Sequence, residues 1–187
     1  MDRRRFLLTS LAGVLGVRRS ALGQPAGTTR RIGYLSAGFG IPQAPTVEAF
    51  RQGLSALGWI EGQNIAIEYR WADGQFDRLP ALAAELVRLK VDLILANPTP
   101  AAVGAKKATT TIPSVAVGLT DPVGVGIVPS VARPGGNITG VAYSVGPEIF
   151  GKNLELLKEV TRPIRRVAIV ANPSGPAYPV TIKNIKE

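Results

Sequence analysis

Asp121 is the acidic residue best placed to do chemistry in this sequence, within Gly118-Leu119-Thr120-Asp121-Pro122. Before a proline, its carboxylate suits the cap of a helix, and it equally suits a ligand's ammonium or amide group. Acid–base catalysis would need a second carboxylate or a lysine opposite it, and the sequence shows neither in a matching place. Thr99, in Asn97-Pro98-Thr99-Pro100, stands where a helix is expected to begin. It is either a cap or the neighbour of free backbone N–H groups that suit a ligand carboxylate. The chain contains no histidine and no cysteine. That removes the commonest general base, the thiolate nucleophile, disulfide frameworks and the usual zinc ligands together. A Ser-His-Asp triad is excluded, and no Gly-x-Ser-x-Gly elbow occurs. Gly38-Phe39-Gly40 fails as a dinucleotide fingerprint because Gln43 stands where the third glycine belongs, and Gly124-Val125-Gly126 fails at Pro129. No stretch ends in Gly-Lys-Ser or Gly-Lys-Thr. Trp59 and Trp71 are either stacking platforms or packing, and packing is the simpler reading. The chemistry left is non-catalytic binding through hydroxyls, amides and one carboxylate, with no cofactor and no metal expected.

These residues need a scaffold, and hydrophobic spacing supplies its outline. Ile32–Ser36 reads as a buried strand, and Val47–Leu57 as a helix with Val47, Phe50, Leu54 and Leu57 on one face. Ile65–Trp71 alternates Ile65, Ile67 and Tyr69 against Ala66, Glu68 and Arg70. Asp77 is placed to cap a helix running from Leu79 to Leu89, striped by Leu79, Leu82, Leu86 and Leu89. Strand Val91–Ala96, helix Ala101–Ala108 and strand Ser114–Val117 follow, with a weak helix within 124–132. Ile138–Tyr143 reads as a fifth strand, Pro147–Val160 as a helix, Arg166–Ala171 as a sixth strand and Tyr178–Glu187 as the start of another helix. Strands alternating with helices imply an α/β fold with a doubly wound parallel sheet. Ligands of such sheets lie outside the carboxyl ends of the strands. The candidate site is therefore set by Ser36–Gly40, Asn97–Thr99, Gly118–Pro122 and Tyr143–Gly146.

Net charge is +9 over 187 residues, which raises the question of a nucleic-acid partner. Residues 1–23 hold five arginines against Asp2, leaving 17 basic and 12 acidic residues beyond. Those are scattered and not interleaved with aromatics, so a solvated surface is the reading and no nucleic-acid partner is expected. The opening Arg3-Arg4-Arg5-Phe6-Leu7, the apolar run to Val17 and the small residues Ala21-Leu22-Gly23 have the parts of a secretory signal, with a twin-arginine-like start. The run is too short to span a hydrocarbon core, which takes about 20 residues, and no cysteine follows it for lipid attachment. The expected product is exported, soluble and periplasmic, with residues 1–23 removed.

Six short segments in order then carry a family resemblance: Arg31-Ile32-Gly33-Tyr34-Leu35, Glu48-Ala49-Phe50-Arg51-Gln52-Gly53-Leu54, Leu57-Gly58-Trp59 with Gly62-Gln63-Asn64, Pro100-Ala101-Ala102, Thr120-Asp121-Pro122-Val123-Gly124, and Ala132-Arg133-Pro134-Gly135-Gly136-Asn137-Ile138-Thr139-Gly140. The sequence resembles the substrate-binding proteins of ABC transporters, of the type I periplasmic-binding-protein-like kind related to tryptophan and other amino-acid binders. The resemblance implies two similar lobes clamping a small solute, amino-acid-like or aromatic, and docking on an ABC permease. It also implies ligand contacts at Ser36, Ala37, Asn97, Thr99, Thr120 and Asp121. Thr139 and Gly140 would mark the crossover to the second lobe, and Asn172 would follow that lobe's first strand.

On this reading residues 24–145 form the N-terminal lobe and 146–187 the crossover and an incomplete second lobe. The family's greater length suggests a C-terminally truncated chain, with 166–187 poorly ordered or packed on the first lobe and binding weakened or lost. Two other classes stay open. A carboxylate-dependent enzyme on a similar sheet requires a partner for Asp121. A ligand-sensing lobe outside transport differs only in what docks on its surface.

Overall fold

The central strands of this chain carry apolar side chains on both sides, so a sheet built from them must be covered twice. The structure is a computed structural model that describes residues 29–41, 44–144, 148–160 and 166–186. The expected leader over 1–23, the last two residues of Tyr143–Gly146 and the ends Pro147 and Glu187 of two expected helices lie outside these residues. In chain order the elements are β1 Arg30–Ser36, α1 Pro45–Ala56, β2 Ile65–Trp71, a 3₁₀ turn Phe76–Arg78, α2 Leu79–Arg88, β3 Leu93–Asn97, α3 Thr99–Ala108, β4 Ser114–Thr120, β5 Ile138–Ser144, α4 Glu148–Val160 and α5 Tyr178–Lys186. The five strands make one all-parallel sheet in the order β2-β1-β3-β4-β5.

Side-chain alternation divides the core between the two faces. Leu35, Ile94, Ala96, Ala116 and Leu119 point to one face, where they meet Leu79, Leu82 and Leu86 of α2 and Ala101, Ala102 and Ala105 of α3. Tyr34, Leu95, Val115 and Val117 point to the other, where Val47 and Phe50 of α1 join the Ile67, Tyr69 and Trp71 row of β2. The Tyr34 ring lies 5.2–5.7 Å from Phe50, Tyr69 and Trp71, so Trp71 is a packing residue. The polar side of β2 is tied down too, with the Arg70 guanidinium donating to Glu85 of α2 at 2.7 Å.

The amino ends of the strands are stitched by two polar side chains. Asp92 accepts from the Arg31 amide and the Arg30 guanidinium, each at 2.8 Å, and its own amide donates to the Arg31 carbonyl. Asn137 donates to the Thr109 and Ile112 carbonyls just ahead of β4, while its carbonyl accepts from Ser114. At Gly140 β5 runs so close to β4 that a Cβ would overlap the Ala116 carbonyl.

Several expectations require correction. Arg166–Ala171 is not a strand: no strand of the sheet pairs with it and Val170 is fully exposed. Val167, Ile169 and Val170 are β-prone, but without a hydrogen-bonding neighbour nothing holds them extended. No helix forms within 124–132; the segment folds as successive turns closed by Gly126 N–H to Val123 and Ile127 N–H to Pro122. Asp77 caps nothing, because it lies inside the 3₁₀ turn that runs directly into α2. Leu57 falls at the C-cap of α1, beyond the buried stripe, and is 77% exposed.

Two outcomes follow for stability. Gly140→Ala is expected to lower the urea midpoint by an overpacking cost of about 1–3 kcal/mol. Gly53→Ala, in α1 with nothing within 4 Å of the new Cβ, is expected to raise it by up to ~1 kcal/mol; equal midpoints for the two variants would contradict the packing described. The Asp92 carboxyl is held below its ordinary range, chiefly by the Arg31 amide and then by Arg30. A depressed folded pKa gives stability that is present above the unfolded value of about 3.9 and is lost as pH falls through the folded one. Because both side chains are largely solvated, Asp92→Asn should cost less than about 1 kcal/mol at pH 7. That difference should close in acid, as read from paired melts across pH.

Candidate functional site

At the carboxyl ends of β3 and β4 the backbone turns into α3 and into the Thr120–Gly124 loop, and one hydrogen bond joins them. Thr99, the first residue of α3, accepts the Thr120 amide on its hydroxyl oxygen at 2.9 Å. Thr99 is buried. It therefore caps a strand end rather than its own helix. The amides of Ala101 and Ala102 close on the Pro98 carbonyl and Pro100 has none, so the first turn of α3 offers a carboxylate fewer donors than its position suggests. Asp121 follows in the left-handed region, with φ 44°, and is buried. Its carboxylate accepts from the Gly124 amide at 2.9 Å, and a Cβ on Gly124 would overlap that carboxylate. Asp121 thus caps a tight turn, in the way Asx residues do.

A cavity of about 290 Å³ opens on these strand ends. Pro98, Thr99, Gly118 and Thr120 form one side and Phe76 another. Asn172, Tyr178 and Thr181 close it from the segment around the start of α5. That C-terminal stretch thus stands across the cavity from the strand ends. Gly118 shapes the opening: its φ of 70° sits in a β-bulge, and a side chain there would press on Tyr143 and the Asn97 amide oxygen at 3.2–3.3 Å. Only glycine combines that dihedral with that approach. The walls are mostly proline, aromatic and methyl surface, and the polar atoms are hydroxyls and one carboxamide.

Of the nine residues expected at the site, Thr99, Thr120 and Asn172 line this cavity together. Ser36 and Ala37 lie at the end of β1 with their polar groups engaged. The Ser36 hydroxyl accepts from the Gly38 amide, the Ala37 amide donates to Asn97, and the Ala37 carbonyl accepts from Gly74. Asn97 ends β3 beside Gly118, outside the lining. Asp121 is turned into its own loop. Thr139 and Gly140 lie within β5, in register with Val115 and Ala116, toward the amino end of the sheet. Phe76, Pro98, Gly118, Tyr178 and Thr181 are additions from the structure. Pro98 and Gly118 fall inside loops that the strand-end rule marks. Phe76 follows the edge strand β2, and Tyr178 and Thr181 come from a helix no local pattern ties to the sheet.

Among the described residues no group of three His, Cys, Asp or Glu side chains is arranged to hold a metal. Among them, too, no helix is long and apolar enough to cross a membrane.

The fold and the sequence both have relatives. The tyrosine-binding protein of Clostridioides difficile is 34% identical over 127 residues, covering 68% of this chain and 36% of that protein. A conserved domain protein from Vibrio cholerae superposes with a TM-score of 0.71 at 29% identity, over 85% of this chain and 53% of that one. An ABC domain from Streptococcus pneumoniae, solved in complex with L-Trp, superposes with a TM-score of 0.69 at 25% identity, over 85% of this chain and 52% of that one. The chain thus spans from about a third to half the length of the proteins it matches. The family description that matches residues 43–187 is ABC transporter substrate binding protein, and with the parallel sheet, its strand-end cavity and these relatives in agreement, the chain belongs to that family.

Proposed function

We propose that this chain is the substrate-binding component of an ABC importer, taking a small amino-acid-like or aromatic solute at the carboxyl ends of β3 and β4. The observation that carries the reading is the strand-end cavity itself. Apolar and aromatic walls with a few convergent hydroxyls and one amide are the composition of a small-molecule site. Its volume of about 290 Å³ is near the lower bound of about 300 Å³ for such sites, which suits a solute of amino-acid size. The names of the relatives, a tyrosine binder and a protein holding L-Trp, support the same ligand class.

In this reading residues 24–145 form the first lobe and residues 146–187 the crossover and beginning of a second, which completes an interlobe cleft. Thr99, Thr120 and Asn172 contact the ligand, while Ser36, Ala37, Asn97 and Asp121 hold the loops around it and Thr139 and Gly140 hold β5 on the sheet. The twin-arginine-like leader delivers the protein to the periplasm, where the partner is the membrane permease. Capture without catalysis is the role. The engagement of Asp121 with Gly124 supports it over an acid–base enzyme, since the best-placed carboxylate is occupied within its own turn.

Thermal unfolding of the chain with a panel of amino acids and aromatic acids tests the proposal. A ligand at about 100 times its Kd should stabilise by roughly 2.7 kcal/mol, read as a raised midpoint. Thr99→Val, which removes the acceptor of the Thr120 amide, should lower the ligand-free stability by ~1 kcal/mol and shrink the ligand-induced shift. A cooperative transition that no panel member moves would overturn the proposal.

A further inference from the structure

Phe76 forms part of the wall of the strand-end cavity and also of a second pocket of about 160 Å³ on its far side, between the start of α2 and α3. Pro100 and Pro176 are shared by both walls in the same way. Of these three shared residues, the two prolines are fixed rings, while Phe76 is a side chain that can change in size and rotamer. The backbone beneath it is held firmly. Asp73 accepts from the Gly40 amide at 3.1 Å and from the Arg78 guanidinium at 3.0 Å, and Arg78 also donates to the Ala72 carbonyl. These bonds bracket the 3₁₀ turn that carries Phe76, whose ring is partly buried against the α2–α3 core.

Beyond the partition the chemistry changes. Leu79, Val103 and Gly104 continue the apolar wall, and the exposed residues Lys107 and Ser174 border the same pocket. An ammonium and a hydroxyl bordering an apolar groove suit a carboxylate carried on an alkyl or aryl-alkyl chain.

We propose that Phe76 is a specificity-determining residue that partitions these two pockets, confining the site to amino-acid-sized solutes and closing off a subsite for chain-extended carboxylates that Lys107 borders. The proposal rests on the strand-end cavity being the ligand site. With the phenyl ring present, a ligand occupies the first space alone. With it removed, the first space runs past Pro100 and Pro176 into the second.

The test measures Kd by calorimetry on the full chain for L-tryptophan, L-tyrosine, phenylacetate and 6-phenylhexanoate. The wild type is expected to bind its best short probe at least tenfold more tightly than 6-phenylhexanoate. Phe76→Ala should close or invert that ratio, and Phe76→Leu, a milder truncation that keeps the core filled, should shift it part of the way. Adding Lys107→Gln to Phe76→Ala should reverse the gain for 6-phenylhexanoate several-fold while leaving the short probes unchanged. If the wild type binds a short probe and both Phe76 variants, melting cooperatively, keep its ratio, the partition is overturned and the strand-end site stands. If the folded wild type binds none of the four probes, the ligand site itself is misplaced and the partition falls with it.

Discussion

A parallel sheet is almost always covered on both faces, and most of the architecture of this chain follows from that constraint. α2 and α3 cover one face, and the fit is tight. A Cβ on Gly33 of β1 would come within 2.9 Å of Leu86, and one on Gly104 of α3 within 3.1 Å of Leu79. α1 covers the other face over β1, β2 and β3 through Val47 and Phe50. On β5 the cover on that second face runs out, and Val141 and Tyr143 stand exposed at 65% and 86%. The same constraint explains the fate of Arg166–Ala171. Without a neighbouring strand and without cover, a β-prone sequence has no reason to be a strand.

With the helices set by burial, the strand ends stay open, and there the polar groups are arranged by mutual hydrogen bonds. Thr99 holds the Thr120 amide, Asp121 holds Gly124, and the β1 and β2 loops are zipped together by Ala72, Asp73 and Gly74. The loops bordering the cavity therefore take their shape from contacts within the chain. The Thr99 hydroxyl and the Asn172 carboxamide that line the cavity each already accept a backbone amide, from Thr120 and Ser174.

The family motifs divide in an instructive way. Asn137 and Gly140 stitch and seat β5, and Asn64 closes the turn after α1 by donating to Gly58 and accepting from the Ile60 amide. Thr120 and Asp121 shape the loop beside the cavity. Most of what makes the sequence recognisable thus specifies turns and strand contacts, which demand particular residues. The cavity wall asks only for apolar bulk and leaves a weaker trace in sequence.

Local sequence determined the five strands of the sheet, the two-sided burial and the end of the sheet where a site belongs, because strand periodicity and βαβ handedness are short-range properties. It also marked Thr99 and the strand-end loops containing Pro98, Gly118 and Thr120, whereas Asn172 was implied only by the family resemblance. Tertiary structure alone decided that Asp121 turns inward to Gly124, that Ser36 and Ala37 engage their polar groups within the loops, and that Thr139 and Gly140 lie toward the other end of the sheet. It alone brought Phe76 and Tyr178 to one cavity from segments about a hundred residues apart. Which donors are already satisfied, and which distant side chains share a wall, depends on three-dimensional proximity, and no spacing along the chain encodes that.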